Sequence, residues 1–263
     1  MIAAYFGTIC GRRRSASNRL LIIACFAMVV AAFSACGGRG HKGPAPILLF
    51  NGTGISPNDV TAMETILDHN HFDYITVNSS ELNGMSRSQL LRYRLLIVAG
   101  GNFMDMGKSL TTGTAANIRY AVQRGLNYLG ICAGGFLAGS SQYYNGFNLT
   151  SGVTFAFYSA ENKGIRKAAV AITGPGDLIL DQYWEDGPQL SGWGAVVAKY
   201  PDDTPAVTEG KCGSGFVVLA GFHAEAPADW RGGMRFSTPD SVDNAYAARL
   251  IRAALNRLWL PHY

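Results

Sequence analysis

Two rhythms alternate along the first half of the chain. Ile47 to Phe50 is an unbroken apolar run that ends in the turn cluster Asn51-Gly52-Thr53-Gly54, and so predicts a buried strand. Ser56 then stands where a helix N-cap would, with Pro57 suited to the first helical position. Val60, Met63 and Leu67 follow at the spacing of one helix face. Tyr74 to Val77, Leu95 to Ala99 and Tyr128 to Ile131 predict three more strands, the second of these ending in Gly100-Gly101 and the last running into Cys132. A helix carrying Ile118, Ala121 and Val122 precedes that last strand, with Gly125 placed to stop it. Strands alternating with helices predict a parallel sheet wrapped by helices.

The second half has a shorter rhythm. Strand candidates at Val153–Phe157, Ala168–Ile172, Ala195–Tyr200, Pro205–Thr208 and Phe216–Ala220 are separated by Gly, Pro and Asp turns. They predict antiparallel strands laid beside the parallel sheet. A final helix is expected from about Asp240 to Leu258, with Ala247, Ile251, Ala254, Leu255 and Leu258 on one face.

The first 35 of the 263 residues follow neither rhythm. Arg12, Arg13, Arg14 and Arg19 precede an apolar run from Leu20 to Phe33, short of the roughly 20 residues that span a bilayer but suited to a signal peptide. Phe33-Ser34-Ala35-Cys36 resembles a bacterial lipobox, which implies cleavage before Cys36 and lipidation of that cysteine, although Phe33 replaces the usual Leu. The expected organisation is a lipoprotein-type signal over 1–35, a Gly-rich tether over 36–45 and one domain over 46–260. The protein would then be exported and anchored in the cell envelope. Its charge changes accordingly. The whole chain is formally +4, but the signal takes four arginines and no acid, leaving 18 basic and 18 acidic side chains. Nucleic acid is therefore not an expected partner. Of five cysteines, only Cys132 and Cys212 remain in the expected domain, too few for a disulfide framework.

The chemistry is concentrated in Tyr128-Leu129-Gly130-Ile131-Cys132-Ala133-Gly134-Gly135. Gly-x-Cys-x-Gly between a strand and a helix has the form of a nucleophile elbow, in which glycines let strand and helix pass closely. A cysteine there would sit at a helix N-terminus, where free N–H groups favour a thiolate. Far downstream, Phe216 to Gly221 runs into Phe222-His223-Ala224-Glu225. Residues two apart in an extended chain face the same side, so Glu225 could hold the His223 ring while the imidazole takes the Cys132 proton. Gly101 and Ala133 could supply oxyanion-hole N–H groups. Asp68-His69-Asn70-His71 lacks a convincing set of further ligands, and no metal site is expected there.

These motifs together resemble the class I glutamine amidotransferase superfamily, and within it the domain found at the N-terminus of biotin-protein ligases and in stand-alone bacterial proteins. The likeness runs from about Ile47 to Leu258. It is carried by Asn51-Gly52-Thr53-Gly54, Ala99-Gly100-Gly101, the elbow, Tyr183-Trp184-Glu185-Asp186-Gly187-Pro188 and Gly221-Phe222-His223-Ala224-Glu225. It implies a flavodoxin-like α/β fold, a central parallel sheet with flanking helices and added antiparallel strands. It also implies a Cys132–His223–Glu225 triad. Asn102, Tyr183, Trp184 and Asp186 are the residues expected to line the substrate pocket. Three positions depart from the family, which has Asn in place of Asp186 and Pro in place of Phe222 and Ala224. The glutamine-binding Gln after the elbow is replaced by Gly134-Gly135-Phe136, which counts against glutamine as substrate.

The expected activity is hydrolysis of a small-molecule or peptide amide through a thioester on Cys132, without a cofactor and without the ATP or biotin chemistry of a ligase. The competing expectation is a binding or regulatory envelope lipoprotein that keeps the fold without turnover.

Overall fold

A computed structural model describes residues 45–263 of the chain. The expected signal, Cys36 and the tether up to residue 44 lie outside the described residues. Among the described residues, no helix is long and apolar enough to cross a membrane.

A nine-stranded mixed sheet organises the structure, in the order β2-β1-β3-β4-β11-β10-β9-β6-β7. Its parallel part comprises β1 (Ile47–Phe50), β2 (Tyr74–Val77), β3 (Leu95–Val98), β4 (Asn127–Ile131) and β11 (Gly215–Ala220). All residues of β1, β3, β4 and β11 are buried, as continuous apolar runs require when both faces are covered. The antiparallel part is β10 (Pro205–Cys212), β9 (Ala195–Lys199), β6 (Lys167–Gly174) and β7 (Leu178–Glu185). A separate pair joins β5 (Ala156–Phe157) to β8 (Pro188–Gln189). The order is that of the flavodoxin-like fold at one end, extended by the antiparallel strands expected from the second half.

Helices α1 (Pro57–His69), α2 (Ser79–Gly84), α3 (Arg87–Leu90), α4 (Phe103–Ser109), α5 (Thr112–Gln123), α6 (Ala133–Ala138) and α7 (Asp240–Asn256) flank the sheet. Ser56 caps α1 by accepting from the Asp59 N–H, with Pro57 following as the sequence predicts. The last helix stops at Asn256, two residues short of the expected end, because Arg257 takes a left-handed conformation and turns the chain. Val153–Phe157 is shorter than expected, pairing only at Ala156–Phe157. The sequence pattern did not disclose β7. Its partner β6 reaches it through Pro175-Gly176-Asp177, where Gly176 and Asp177 both have positive φ, as a tight hairpin turn demands.

Register sets the position of the functional site. Ala220 pairs with Ile131 across β11 and β4, and Val98 pairs with Gly130 across β3 and β4. The next residues of all three strands therefore emerge side by side at the carboxyl edge of the sheet: Gly100-Gly101, Cys132 and, three residues past β11, His223. The loop after β1 joins them, because β2 lies on one side of β1 and β3 on the other. Such a switch point in strand order opens a crevice outside the strand ends.

Candidate active site

Cys132 occupies a conformation that few side chains adopt, with φ 49° and ψ −106°. The neighbouring backbone holds it there. Its N–H donates to the Ala220 carbonyl at 2.8 Å, continuing the β4–β11 ladder, while its carbonyl accepts from the Gly135 N–H at 2.9 Å and starts α6. The turn between is possible only with glycine at 134, since a Cβ there would run into the Val98 carbonyl of the adjacent strand. Cys132 is 5% exposed, and its S–H donates to the Glu185 carbonyl at 3.4 Å.

His223 sits opposite, buried, with its backbone N–H donating to the Tyr183 carbonyl at 2.8 Å. Two carboxylates converge on its Nδ1. Glu225 Oε1 lies 3.2 Å away, as the two-residue spacing leads one to expect, and Asp59 Oδ1 lies closer still, at 2.9 Å. Asp59 was not anticipated. Ser56-Pro57-Asn58-Asp59 reads as an ordinary helix start, in which an acid at the third position folds back on the cap. Here the Ser56 N–H donates instead to the Gly100 carbonyl, and the Asp59 carboxylate is turned toward the histidine. Gly100 is the floor beneath both groups, because a Cβ there would strike Asp59 Oδ1 and His223 Cε1.

The electrostatics follow from this crowding. Burial alone would lower the His223 pKa, but its electrostatic interactions with the Cys132 sulfur and the Asp59 carboxylate hold it well above the usual imidazole value. Burial pushes the Glu225 carboxyl up. Asp59 is also subject to burial, yet its attraction to the His223 ring leaves it below the usual carboxylate value. The two acids thus differ: Asp59 carries the charge, and Glu225 is the more readily protonated. The second carboxyl oxygen of Glu225, Oε2, has no hydrogen-bond partner among the described residues. The ligand atoms of Asp59, His223 and Glu225 lie within 4.8 Å of one another, so the same trio could also hold a divalent cation.

These groups open on a cavity of about 440 Å³. Cys132, His223, Asp59, Gly101, Ala133, Asn102 and Asp186 line it. Among the described residues, neither the Gly101 nor the Ala133 N–H is engaged in the loop and cap hydrogen bonds around it. Asn102 is divided between two tasks, since its side chain also caps α4 by accepting from the Met104 and Asp105 N–H groups. Tyr183 and Trp184 do not line the cavity, contrary to expectation. Trp184 is fully buried against Tyr158 and donates to the Gly187 carbonyl, while Tyr183 packs edge-on against the His223 ring. Their position on β7 explains this, because the strand is buried on both sides where it meets the residues after β11. Ser56, Phe103, Phe136, Phe157, Arg166 and Glu185 complete the lining, and the sequence does not mark them as pocket residues. Isolated aromatics and a lone Arg carry no pattern that separates a pocket from a core. Cys212, at the end of β10, is a free thiol like Cys132.

Comparisons with known proteins agree with this architecture. Residues 45–166 match the family described as biotin-protein ligase, N terminal. No curated protein matches the chain by sequence. Among solved structures, a GMP synthase subunit homologue from Thermoplasma acidophilum is similar, with a TM-score of 0.50 and 11% identity, over 81% of this chain and 96% of that one. An exo-β-1,4-mannosidase from Opitutaceae bacterium strain TAV5 matches with a TM-score of 0.51 and 13% identity, over 81% of this chain and 36% of that one. A catalytic mutant of a GH42 β-galactosidase from G. stearothermophilus gives a TM-score of 0.50 and 16% identity, over 83% of this chain. This chain spans about a third of those glycosidases, 31% of the β-galactosidase. At such identities the likeness is one of fold. Residues 45–166 are thus similar to the family described as biotin-protein ligase, N terminal, and the chain shares the flavodoxin-like α/β fold of the solved structures it matches.

Proposed function

We propose that the protein is an exported, lipid-anchored amide hydrolase that works through a thioester on Cys132. The observation that carries this reading is the meeting, in one cavity, of a strained strand-end cysteine with a buried histidine gripped by two carboxylates. A glutamine-amidotransferase-like fold is consistent with amide hydrolysis, and the finer assignment rests on these side chains.

In the proposed reaction the sulfur attacks the amide carbonyl and its proton passes to His223. Asp59 and Glu225 keep the ring aimed from its Nδ1 side and offset the positive charge that the ring acquires. The carbonyl oxygen, negative in the tetrahedral intermediate, faces the Gly101 and Ala133 N–H groups. His223 then protonates the departing nitrogen, leaving an acyl group on sulfur and a free amine. Water, deprotonated by the same histidine, attacks the thioester and releases the acid and the thiol. The raised His223 pKa suits the acid half of this cycle, in which the ring gives its proton to the departing nitrogen.

Export and the lipid anchor at Cys36 belong to the same proposal and rest on the sequence of residues 12–36. The test of the nucleophile needs no substrate. Iodoacetamide modification of Cys132 is followed by peptide mass spectrometry in the whole chain with Cys212→Ser, with and without His223→Ala. Between about pH 6 and 7, modification is expected to slow at least about tenfold when His223 is removed. Equal rates in the two proteins would overturn the hydrolase reading in favour of a binding lipoprotein.

A further inference from the structure

Three phenyl rings form one wall of the cavity. Phe103 and Phe136 stack at 4.3 Å, and Phe157 packs against them with centroids 6.0 and 4.9 Å away. Tyr144 braces the group, edge-on to Phe103 at 5.4 Å, while its hydroxyl donates to the Phe136 carbonyl at 3.2 Å. Phe157 lines the cavity and keeps 37% of its surface exposed, so the wall presents a free apolar face. The three side chains carry no hydrogen-bonding group, and what they offer a ligand is ring contact. Because the rings already hold one another in place, little order is lost when a ligand settles on them.

Among the described residues, every charged side chain that lines the cavity already has a protein partner. Arg166 is the one Lys or Arg among them, and it is shared between Glu161 at 2.6 Å and Asp186 Oδ2 at 2.5 Å. Asp186 Oδ1 is closed off from solvent. Glu185 accepts from the Tyr183 hydroxyl at 2.5 Å, and Asp59 is taken by His223. A substrate carboxylate would have to compete with two acids for Arg166 and sit beside Glu185 as well. A substrate ammonium would have to draw a carboxylate away from the partner it has. A charge leaving water is disfavoured unless a partner receives it, and the partners here are occupied.

Resting on the hydrolase reading above, we infer that the substrate is an uncharged amide of an aromatic acid, its ring on Phe103, Phe136 and Phe157 and its carbonyl at Cys132. Free glutamine, which carries two charges and no ring, is selected against. Hydrolysis itself then favours release. Water adds to the acyl carbon and the nitrogen leaves as ammonia, so the product is an acid that ionises at neutral pH. It carries the charge that the cavity leaves unpaired.

Binding tests this without turnover. Titration calorimetry on the full chain with Cys132→Ala compares phenylpropanamide with relatives that each change one property. Propanamide lacks the ring, phenylalaninamide adds an ammonium, and phenylpropanoate has a carboxylate in place of the amide. Glutamine is the fourth comparison. Phenylpropanamide is expected to bind at least about tenfold more tightly than propanamide, phenylpropanoate and glutamine, and at least about threefold more tightly than phenylalaninamide. Phe157→Ala should weaken phenylpropanamide about three- to tenfold and leave propanamide unchanged. Any of the four comparison compounds binding as tightly as phenylpropanamide would overturn the inference, as would no binding of phenylpropanamide. Should Cys132→Ala fail to fold, the same compounds can be ranked by how well they protect wild-type Cys132 from iodoacetamide. The two proposals fail separately. Selective binding of phenylpropanamide without ammonia release by the wild-type chain would sink the hydrolase alone. Ammonia release from glutamine and none from phenylpropanamide would sink the selectivity alone.

Discussion

The two halves of the sheet contribute to the site in different ways. In the parallel half, β1, β3 and β4 are buried along their whole length, and what they deliver is backbone: the strained turn at Cys132, the glycines at 100 and 134, and the N–H groups of Gly101 and Ala133. The antiparallel half delivers side chains. The chain after β11, where the two halves meet, brings His223 and Glu225, and the end of β7 brings Glu185 and Asp186. The family match ends at residue 166, just before the first antiparallel strand of the sheet, β6. Chemistry that depends on backbone geometry is thus confined to a scaffold with little freedom to vary. His223 and the pocket walls sit on elements whose side chains can change without moving the strands. Asp59 is the exception, a charged side chain sent across from the parallel half to the histidine of the other.

That division can be broken at several depths. Cys132→Ala should reduce amide turnover by at least about 10³-fold, with the fold intact by circular dichroism. His223→Ala should cost about 10²–10⁴-fold, measured on the same substrate. Gly100→Ala acts on the scaffold alone, yet it should lower turnover about 10²-fold and destabilise by about 1–3 kcal/mol, because the new methyl displaces Asp59 and His223 together. A stable, fully active Gly100→Ala protein would contradict the packing described here.

The two carboxylates sharpen the comparison. Asp59→Asn should slow turnover about tenfold or more, and Glu225→Gln by less, because Asp59 is the closer and the more readily ionised of the two. Their pH signatures have a definite sign. A carboxyl held below its usual 3.8 stabilises the folded protein above that pH, and the contribution is lost as pH falls through the lowered value. His223 is the reverse: its stabilisation is complete below 6.5 and disappears as pH rises through the raised value. Asp59→Asn should therefore flatten the acid limb of a melting-temperature profile, and His223→Ala the alkaline limb.

The smallest effect lies away from the site. Glu209 on β10 is buried and accepts from the Leu260 N–H at 2.7 Å, and burial pushes its carboxyl up to about 7. The folded state then holds a proton that the unfolded state has released, so stability falls as pH rises from 4.5 toward 7. Glu209→Gln should remove this decline, a matter of a few degrees in melting temperature.

Much of this was legible in the chain. Apolar runs at Ile47–Phe50 and Leu95–Val98 could only be buried strands, and Gly130-Ile131-Cys132-Ala133-Gly134 could hardly be read as anything but a tight strand-to-helix turn. His223 was legible because it follows such a run. The short helices α2 and α3 were not, since their capping boxes at Asn78–Glu81 and Ser86–Gln89 precede too few residues for a periodicity to emerge. Strand β7 is less legible, because its sequence lacks a clean two-residue alternation and only the Pro-Gly-Asp turn that pairs it with β6 marks it. Asp59 was hidden by a sufficient local explanation, helix capping. Only the register that sets β1, β3 and β11 in one sheet reveals which way its carboxylate turns.

The central claim, that both halves act on one acyl group held by Cys132, is tested most directly by trapping that group. The wild-type chain is mixed with an amide substrate, quenched in acid within one turnover, and the Cys132 peptide is weighed. The account predicts an acyl adduct on Cys132 that vanishes on longer incubation, persists longer when Asp59→Asn slows the water step, and never forms with Cys132→Ala. Release of ammonia with no adduct on Cys132 at any time, or with activity retained in Cys132→Ala, would contradict it.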